Sequence, residues 1–135
     1  MTDPPPTVSV LMPVGNGARW LDEAVAAAHG PLLAMLDADD VAAPDRLRRQ
    51  VAEMASRPAL VLLGTGARYV DSDGHVFMTE RAAAGPDVAA RLLHDNLFFH
   101  PSVMVRADAF AAVGGYPRPA TTVRPWPDPS VQLRN

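Results

Sequence analysis

Apolar and polar positions along this chain follow two periods, one close to two residues and one close to three and a half. Thr7-Val8-Ser9-Val10-Leu11-Met12 is β-branched and apolar until Pro13 stops it, which predicts a short, largely buried strand. Asn16-Gly17 is a turn signal, and Asn16 can also cap a helix. From about Arg19, the residues Leu21, Ala24, Val25 and Ala28 recur at helical spacing. His29-Gly30 suits the end of that helix, by charge and by tolerance of the left-handed conformation. A second apolar run, Leu32-Leu33-Ala34-Met35-Leu36, ends abruptly in Asp37, Asp39 and Asp40.

Pro44 suits a first helical position and Asp45 a first turn. Leu47, Val51 and Met54 then mark an amphipathic surface helix, with Arg46, Arg48, Arg49, Gln50 and Glu53 on its other faces and Pro58 beyond its end. Leu60 to Leu63 is a third strand candidate. Ala67–Val70 and His75–Met78 flank Asp71-Ser72-Asp73-Gly74, which predicts a hairpin. Residues 87–94 predict a short helix, Ser102–Val105 a strand, and 107–113 a helix closed by Gly114-Gly115. Strands and helices alternate early, so the expected class is an α/β sandwich with parallel strands.

Composition narrows the picture. The 135 residues suffice for one domain, and 48% hydrophobic content supports a packed core. A net charge of −3 argues against a nucleic-acid partner. No cysteine is present, which excludes disulfides and thiolate metal sites. Lysine is absent too. No apolar run suggests a membrane span, and MTDPPPT does not resemble a secretory signal. Prolines crowd both ends. Residues 1–6 and 117–135 are therefore expected to be extended or disordered tails around a folded part at 7–116.

The acidic cluster carries the chemistry. In open α/β sheets, ligands sit outside the carboxyl ends of strands, where Asp37, Asp39 and Asp40 fall. A hard dication such as Mg²⁺ or Mn²⁺ takes one or two carboxylates together with substrate phosphates, and it relieves the repulsion between the acids. A solvated loop capping the next helix would use the same residues, so both readings stand at this point. Asp71 to Gly74 resembles a calcium loop only superficially, since Ala82 occupies the position of the terminal Glu. His100, in Phe98-Phe99-His100-Pro101-Ser102, is a candidate site residue or a structural one. No Gly-rich phosphate loop and no hydrolase nucleophile elbow is present.

Four segments together resemble glycosyltransferase family 2, whose fold is the GT-A nucleotide-sugar-binding fold. PTVSVLMPVGNGARWLDEAV resembles the opening strand, turn and helix, and LLAMLDADDVAAPDRLRRQVAEM the DxD strand and following helix. ALVLLGTGARYVDSDGHV and NLFFHPSVMVRADAFAAVGGY resemble the later hairpin and the acceptor-side segment. The resemblance implies a partial GT-A, Rossmann-like α/β sandwich with a mostly parallel sheet and a β-hairpin. It implies a UDP- or GDP-type nucleotide-sugar donor near Pro13, Val14, Asn16, Asp37 and Asp39. It also implies Mn²⁺ or Mg²⁺ on Asp39 and Asp37, an acceptor side at His100, Pro101 and Ser102, and inverting transfer to a hydroxyl. Asp40 is a weaker candidate in this set.

The chain departs from that family in three places. Gly15 replaces an aromatic residue of the first turn. The strands between the first helix and the DxD strand, with their Asp-Asp-Gly-Ser-type motif, have no counterpart. After Tyr116 the chain reads PRPATTVRPWPDPSVQLRN, without the family's Glu-Asp-type base motif. The expectation is an internally deleted, C-terminally truncated enzyme of weak or no activity and marginal stability, with its first strand at an exposed edge. The right-handed crossover rule then moves the helix at 19–29 to the face opposite that of the family's first helix. Two other readings are a haloacid-dehalogenase-type phosphohydrolase using Asp37 and Asp39, which ordinarily needs a lysine, and a non-enzymatic α/β remnant or interaction module. Cytoplasmic location is the default expectation, with the inner membrane face added by the resemblance.

Overall fold

The structure is a computed structural model that describes residues 7–12 and 23–116. Its strands are β1 (Val8–Leu11), β2 (Leu32–Met35), β3 (Leu62–Leu63), β4 (Ala67–Val70), β5 (Val76–Glu80) and β6 (Met104–Arg106). Its helices are α1 (Arg46–Ser56), α2 (Val88–Arg91) and α3 (Ala107–Ala112), with a 3₁₀ turn at His100–Ser102 before β6. A further helical turn lies at residues 23–26.

The main sheet has the order β1-β2-β6-β3. β1 and β2 pair in parallel, Val8 opposite Leu32 and Leu11 opposite Met35. β6 runs antiparallel to both β2 and β3. Three of the four strands thus share one direction, and β4 and β5 form a separate hairpin. This is the α/β class expected, with one reversed strand inside the sheet.

Every residue of β2 is buried because both faces of the strand are covered, which is why LLAM reads as one apolar run. Leu33 and Met35 meet Leu11, Val103 and Val105 on one face, with Val25, Ala28, Phe110 and Tyr116 packed against them. Leu32 and Ala34 meet Met104 and Met54 on the other, under Leu47 and Val51 of α1. β1 lies at the edge of the described sheet with Val10 46% exposed, the edge position expected for it.

One of the two crossovers departs from the right-handed rule. The connections β1→β2 and β2→β3 step in the same direction across the sheet. Right-handed crossovers would put both intervening helices on one face. Val25 and Ala28 pack on the face opposite α1, so the two crossovers have opposite hands. Burial supplies a reason. With α1 already covering Leu32 and Ala34, the face of Leu33 and Met35 needs Val25 and Ala28 as cover.

Local chemistry explains several boundaries. α1 begins at Arg46, two residues after Pro44, and Asp45 pairs with Arg48 and Arg49 instead of capping through its side chain. The Ser9 hydroxyl accepts the backbone N–H groups of His29 and Gly30 at 3.1 and 2.9 Å, fastening the entry to β2 against β1. Gly30 is required for this close approach and not for the left-handed conformation expected of it. A Cβ there would lie 2.7 Å from the Ser9 nitrogen. Arg106 closes the far end of α1, donating to the carbonyls of Leu60 and Met54 at 2.9 and 2.7 Å.

Met104 is fully buried with Leu32, Ala34 and Met54 under α1, whereas Met78 on β5 is 42% exposed. We expect Met104→Ala to cost about 2–5 kcal/mol and Met78→Ala under about 0.5 kcal/mol in urea unfolding. Equal costs would contradict the division between a packed sheet and a peripheral hairpin.

Candidate functional site

Leu36, just past β2, still donates its N–H to the Leu11 carbonyl at 3.0 Å, and a turn follows in which the Asp40 N–H donates to the Asp37 carbonyl at 3.1 Å. That turn leaves Asp37, Asp39 and Asp40 at the carboxyl end of the strand, near enough for the charges of Asp37 and Asp39 to reach Asp40. Asp37 is half-buried and Asp39 is exposed. Burial pushes the Asp40 carboxyl above its ordinary range, and the charges of Asp37 and Asp39 push it the same way while Arg46 opposes them.

Arg46 is the cation beneath this patch. Its Nη2 donates to the Met35 carbonyl at 2.7 Å and reaches the Val103 carbonyl at 3.5 Å. Its Nε donates to Gln50 Oε1 at 3.0 Å, and Gln50 Nε2 donates to the Ser102 and Leu63 carbonyls at 2.9 and 3.2 Å. Both residues are buried, which corrects their expected place on the outer faces of the helix. Strand-end carbonyls under a helix need donors, and the i, i+4 pair Arg46 and Gln50 supplies them. The sequence signal was their shared spacing with Met54, at which an arginine and a glutamine read as solvent-facing.

Because β6 is antiparallel to β2, the residues leading into β6 arrive at the same end of the sheet. His100 Nδ1 comes to 3.7 Å from Asp37 Oδ1. His100 Nε2 lies 2.8 Å from the Tyr116 hydroxyl, which also approaches Met35 Sδ at 3.3 Å. Burial, followed by the Asp37 charge, raises the Tyr116 hydroxyl above its usual range. Pro101 is half-buried within the 3₁₀ turn. Ser102 is buried, and its hydroxyl donates to the Thr65 carbonyl and accepts the Thr65 N–H. Sequence reasoning brought His100, Pro101 and Ser102 to the site region but missed Tyr116 and Arg46. Pro13, Val14 and Asn16 lie outside the described residues.

Tyr69 connects this patch to the rest of the surface. Its hydroxyl is raised by desolvation and by the charges of Glu80 and Asp40, and its ring meets Phe99 edge-on at 6.5 Å. Beyond Phe99 lies an open cleft of about 530 Å³ lined by Glu80, Arg81, Arg91, Asn96 and Phe98. Among the described residues, ligand atoms of three metal-binding side chains converge at Asp71, Asp73 and His75, all exposed. Asp71 Oδ1 accepts the N–H groups of Asp73 and His75 there, each at 2.9 Å, which is the chemistry of a hairpin turn. The turn reading of Asp71 to Gly74 therefore stands.

The acids after β2 offer only carboxylate oxygens, and among the described residues those of Asp37, Asp39 and Asp40 do not all lie within 4.8 Å of one another as the ligand atoms of Asp71, Asp73 and His75 do. The family model for glycosyl transferase family 2 matches residues 10–113, spanning β1, the acidic turn, the hairpin and β6. The chain belongs to glycosyl transferase family 2. The α/β sheet with its reversed strand and hairpin is a partial GT-A fold. Among relatives, the chain is 32% identical over 97 residues to an uncharacterised glycosyltransferase of Methanocaldococcus jannaschii, covering 70% of this chain and 33% of that protein. It is 28% identical over 103 residues to the O-antigen biosynthesis glycosyltransferase WbnJ of Escherichia coli, covering 76% of this chain and 40% of that one. It is also 28% identical over 85 residues to the amylovoran biosynthesis glycosyltransferase AmsE of Erwinia amylovora, covering 63% of this chain and 32% of that one. The matched region thus spans about a third of the length of these relatives. Membership of family 2 sets aside the phosphohydrolase reading of Asp37 and Asp39.

An Asp whose folded pKa is raised binds its proton more tightly when folded. Stability is therefore lost as pH rises from the unfolded value near 3.8 through the higher folded one. We expect Asp40→Asn to raise the melting temperature at pH 7 and to flatten this acid-side dependence. A lower melting temperature at pH 7 would mean that Asp40 serves Arg46 more than it suffers from Asp37 and Asp39.

Proposed function

We propose that this chain forms the donor-binding part of a metal-dependent, inverting glycosyltransferase that takes a sugar from a UDP- or GDP-type nucleotide. The observation that carries the reading is the cluster of Asp37, Asp39 and Asp40 at the carboxyl end of β2, in a chain of this family. Asp39, exposed beyond the turn, is the direct ligand for Mn²⁺ or Mg²⁺, and Asp37 holds the same cation while facing the ribose. When bound, the cation supplies Lewis-acid stabilisation of the departing diphosphate.

The chain's own residues bind and orient. Pro13, Val14 and Asn16 belong to the nucleotide side. Arg46 uses its Nε and Nη2 donors on Gln50 and on strand-end carbonyls, so it supports the turn from below instead of gripping phosphate. His100 and Pro101 form the acceptor side, with the cleft beyond Phe99 as the acceptor's path. The Ser102 hydroxyl, committed to Thr65, fixes the loop behind them.

Inverting transfer needs a base for the acceptor hydroxyl. After Tyr116 these 135 residues contain a single carboxylate, Asp128, in the proline-rich stretch RPWPDPS. Donor binding without appreciable turnover is the behaviour we assign to the chain by itself. The expected tails at residues 1–6 and 117–135 lie outside the described residues. The direct link between β1 and β2 is read as an internal deletion of the family's outer strands. No described helix is long and apolar enough to cross a membrane. The proposed location, cytoplasmic by default with the inner membrane face as the family alternative, rests on the resemblance.

A thermal shift with Mn²⁺ and UDP or GDP tests this. The expected result is stabilisation of the wild type by cation and nucleotide together, lost in Asp39→Ala. Equal stabilisation of both proteins would sink the assignment of Asp39.

A further inference from the structure

Tyr116 stands beside the acidic end of β2 without a part in the binding described so far, and its partner His100 has been given only an acceptor-side place. The chain reaches Tyr116 through Gly114 and Gly115, both left-handed at φ 84° and 72°, a conformation open mainly to glycine. This double turn brings the phenol back over β2. Its ring packs edge-on against Phe110 at 5.1 Å, and its hydroxyl stands 2.8 Å from His100 Nε2 and 3.3 Å from Met35 Sδ. The opposite ring nitrogen, Nδ1, faces Asp37 Oδ1 at 3.7 Å.

Hydrogen placement follows from acceptor strength. The phenol has one proton and two candidate acceptors, and a thioether sulfur is a far weaker acceptor than an imidazole nitrogen. The proton therefore goes to Nε2. A neutral imidazole that accepts at Nε2 carries its own proton on Nδ1, toward Asp37. The other tautomer would aim a lone pair at a carboxylate. At 3.7 Å the Nδ1–H dipole acts on Asp37 without a direct hydrogen bond, and a small ring rotation or one water completes the contact.

We propose that Tyr116 and His100 are positioning residues for Asp37: the Tyr116 hydroxyl locks His100 in the Nδ1–H tautomer, and that N–H holds the Asp37 carboxylate in the orientation the donor's cation requires. This inference rests on the donor-site reading for its purpose, but the tautomer itself does not. The arrangement gives the reversed strand β6 a task, since only its lead-in segment brings a histidine to the end of β2. It also ties the helix-closing glycines to the site through Tyr116.

The test uses the full 135-residue protein, labelled with ¹⁵N, in long-range imidazole spectra that read the tautomer of the neutral ring. The wild type is expected to hold His100 as Nδ1–H, and Tyr116→Phe to release it into a mixture of tautomers. Calorimetric titration with Mn²⁺ and UDP or GDP gives the second readout. His100→Ala should weaken binding about tenfold, the scale of one hydrogen bond to a charged group. His100→Asn, whose amide keeps a donor near the Nδ1 position, should recover most of that loss. An Nε2–H tautomer in the wild type, or an unchanged tautomer in Tyr116→Phe, overturns the relay. Equal affinity in His100→Ala and the wild type overturns the positioning role while leaving the donor site intact. Absence of Mn²⁺–nucleotide binding in the wild type overturns the donor-site reading instead, and the tautomer still decides whether the relay exists. If Tyr116→Phe fails to fold, the wild-type tautomer and the two His100 variants decide it alone.

Discussion

A buried arginine beneath three carboxylates is the constraint on which this molecule turns. Arg46 enters from the first turn of α1, donates to the last carbonyl of β2, and reaches the residue just before β6. Through Gln50 it extends to Ser102 and Leu63. One helix turn therefore satisfies the ends of three strands whose backbone groups would otherwise be orphaned under the helix. The same guanidinium opposes the upward push on Asp40. Burial in turn lowers the pKa of Arg46, with Asp40 acting against that fall. A strand ending in Asp37, Asp39 and Asp40 without this cation would combine unpaired carbonyls with unrelieved like charge.

The rest of the site follows from strand direction. Because β6 is reversed, the loop before it reaches the acidic turn, and His100 lands opposite Asp37. Because β3 follows β6, Thr65 falls within reach of Ser102 and stiffens that loop from the far side. The mixed sheet is thus what assembles a site from segments more than sixty residues apart, Asp37 and His100. The cost is borne at β1. Its crossover to β2 has the opposite hand to the next one, and its outer edge is open in the described sheet. Val25 and Ala28 cover Leu33 and Met35 on that side of the sheet.

Much of this was legible in the chain. LLAM had to be a strand covered on both faces, because four consecutive apolar residues cannot all point one way. The hairpin around Asp71 to Gly74 followed from turn chemistry, and the closure after α3 followed from Gly114-Gly115. The acidic end of β2 stood out as the candidate site because crowded carboxylates call for a counter-charge. Arg46 and Gln50 were misread because helical periodicity scores side chains by polarity, whereas their burial depends on carbonyls contributed by other strands. Tyr116 was missed for a related reason. Its partner His100 lies sixteen residues earlier, and the contact exists only because two left-handed glycines turn the chain back.

The proposed donor site puts the cation at the acidic end of β2, whereas the converging ligand atoms among the described residues are those of Asp71, Asp73 and His75. Paramagnetic broadening by substoichiometric Mn²⁺ in amide NMR spectra tests it residue by residue. The account predicts that signals of Leu36 to Asp40 and of His100 broaden first, and more strongly when a nucleoside diphosphate is added. Broadening centred on Asp71 to His75, or unaffected by the nucleotide, would contradict it.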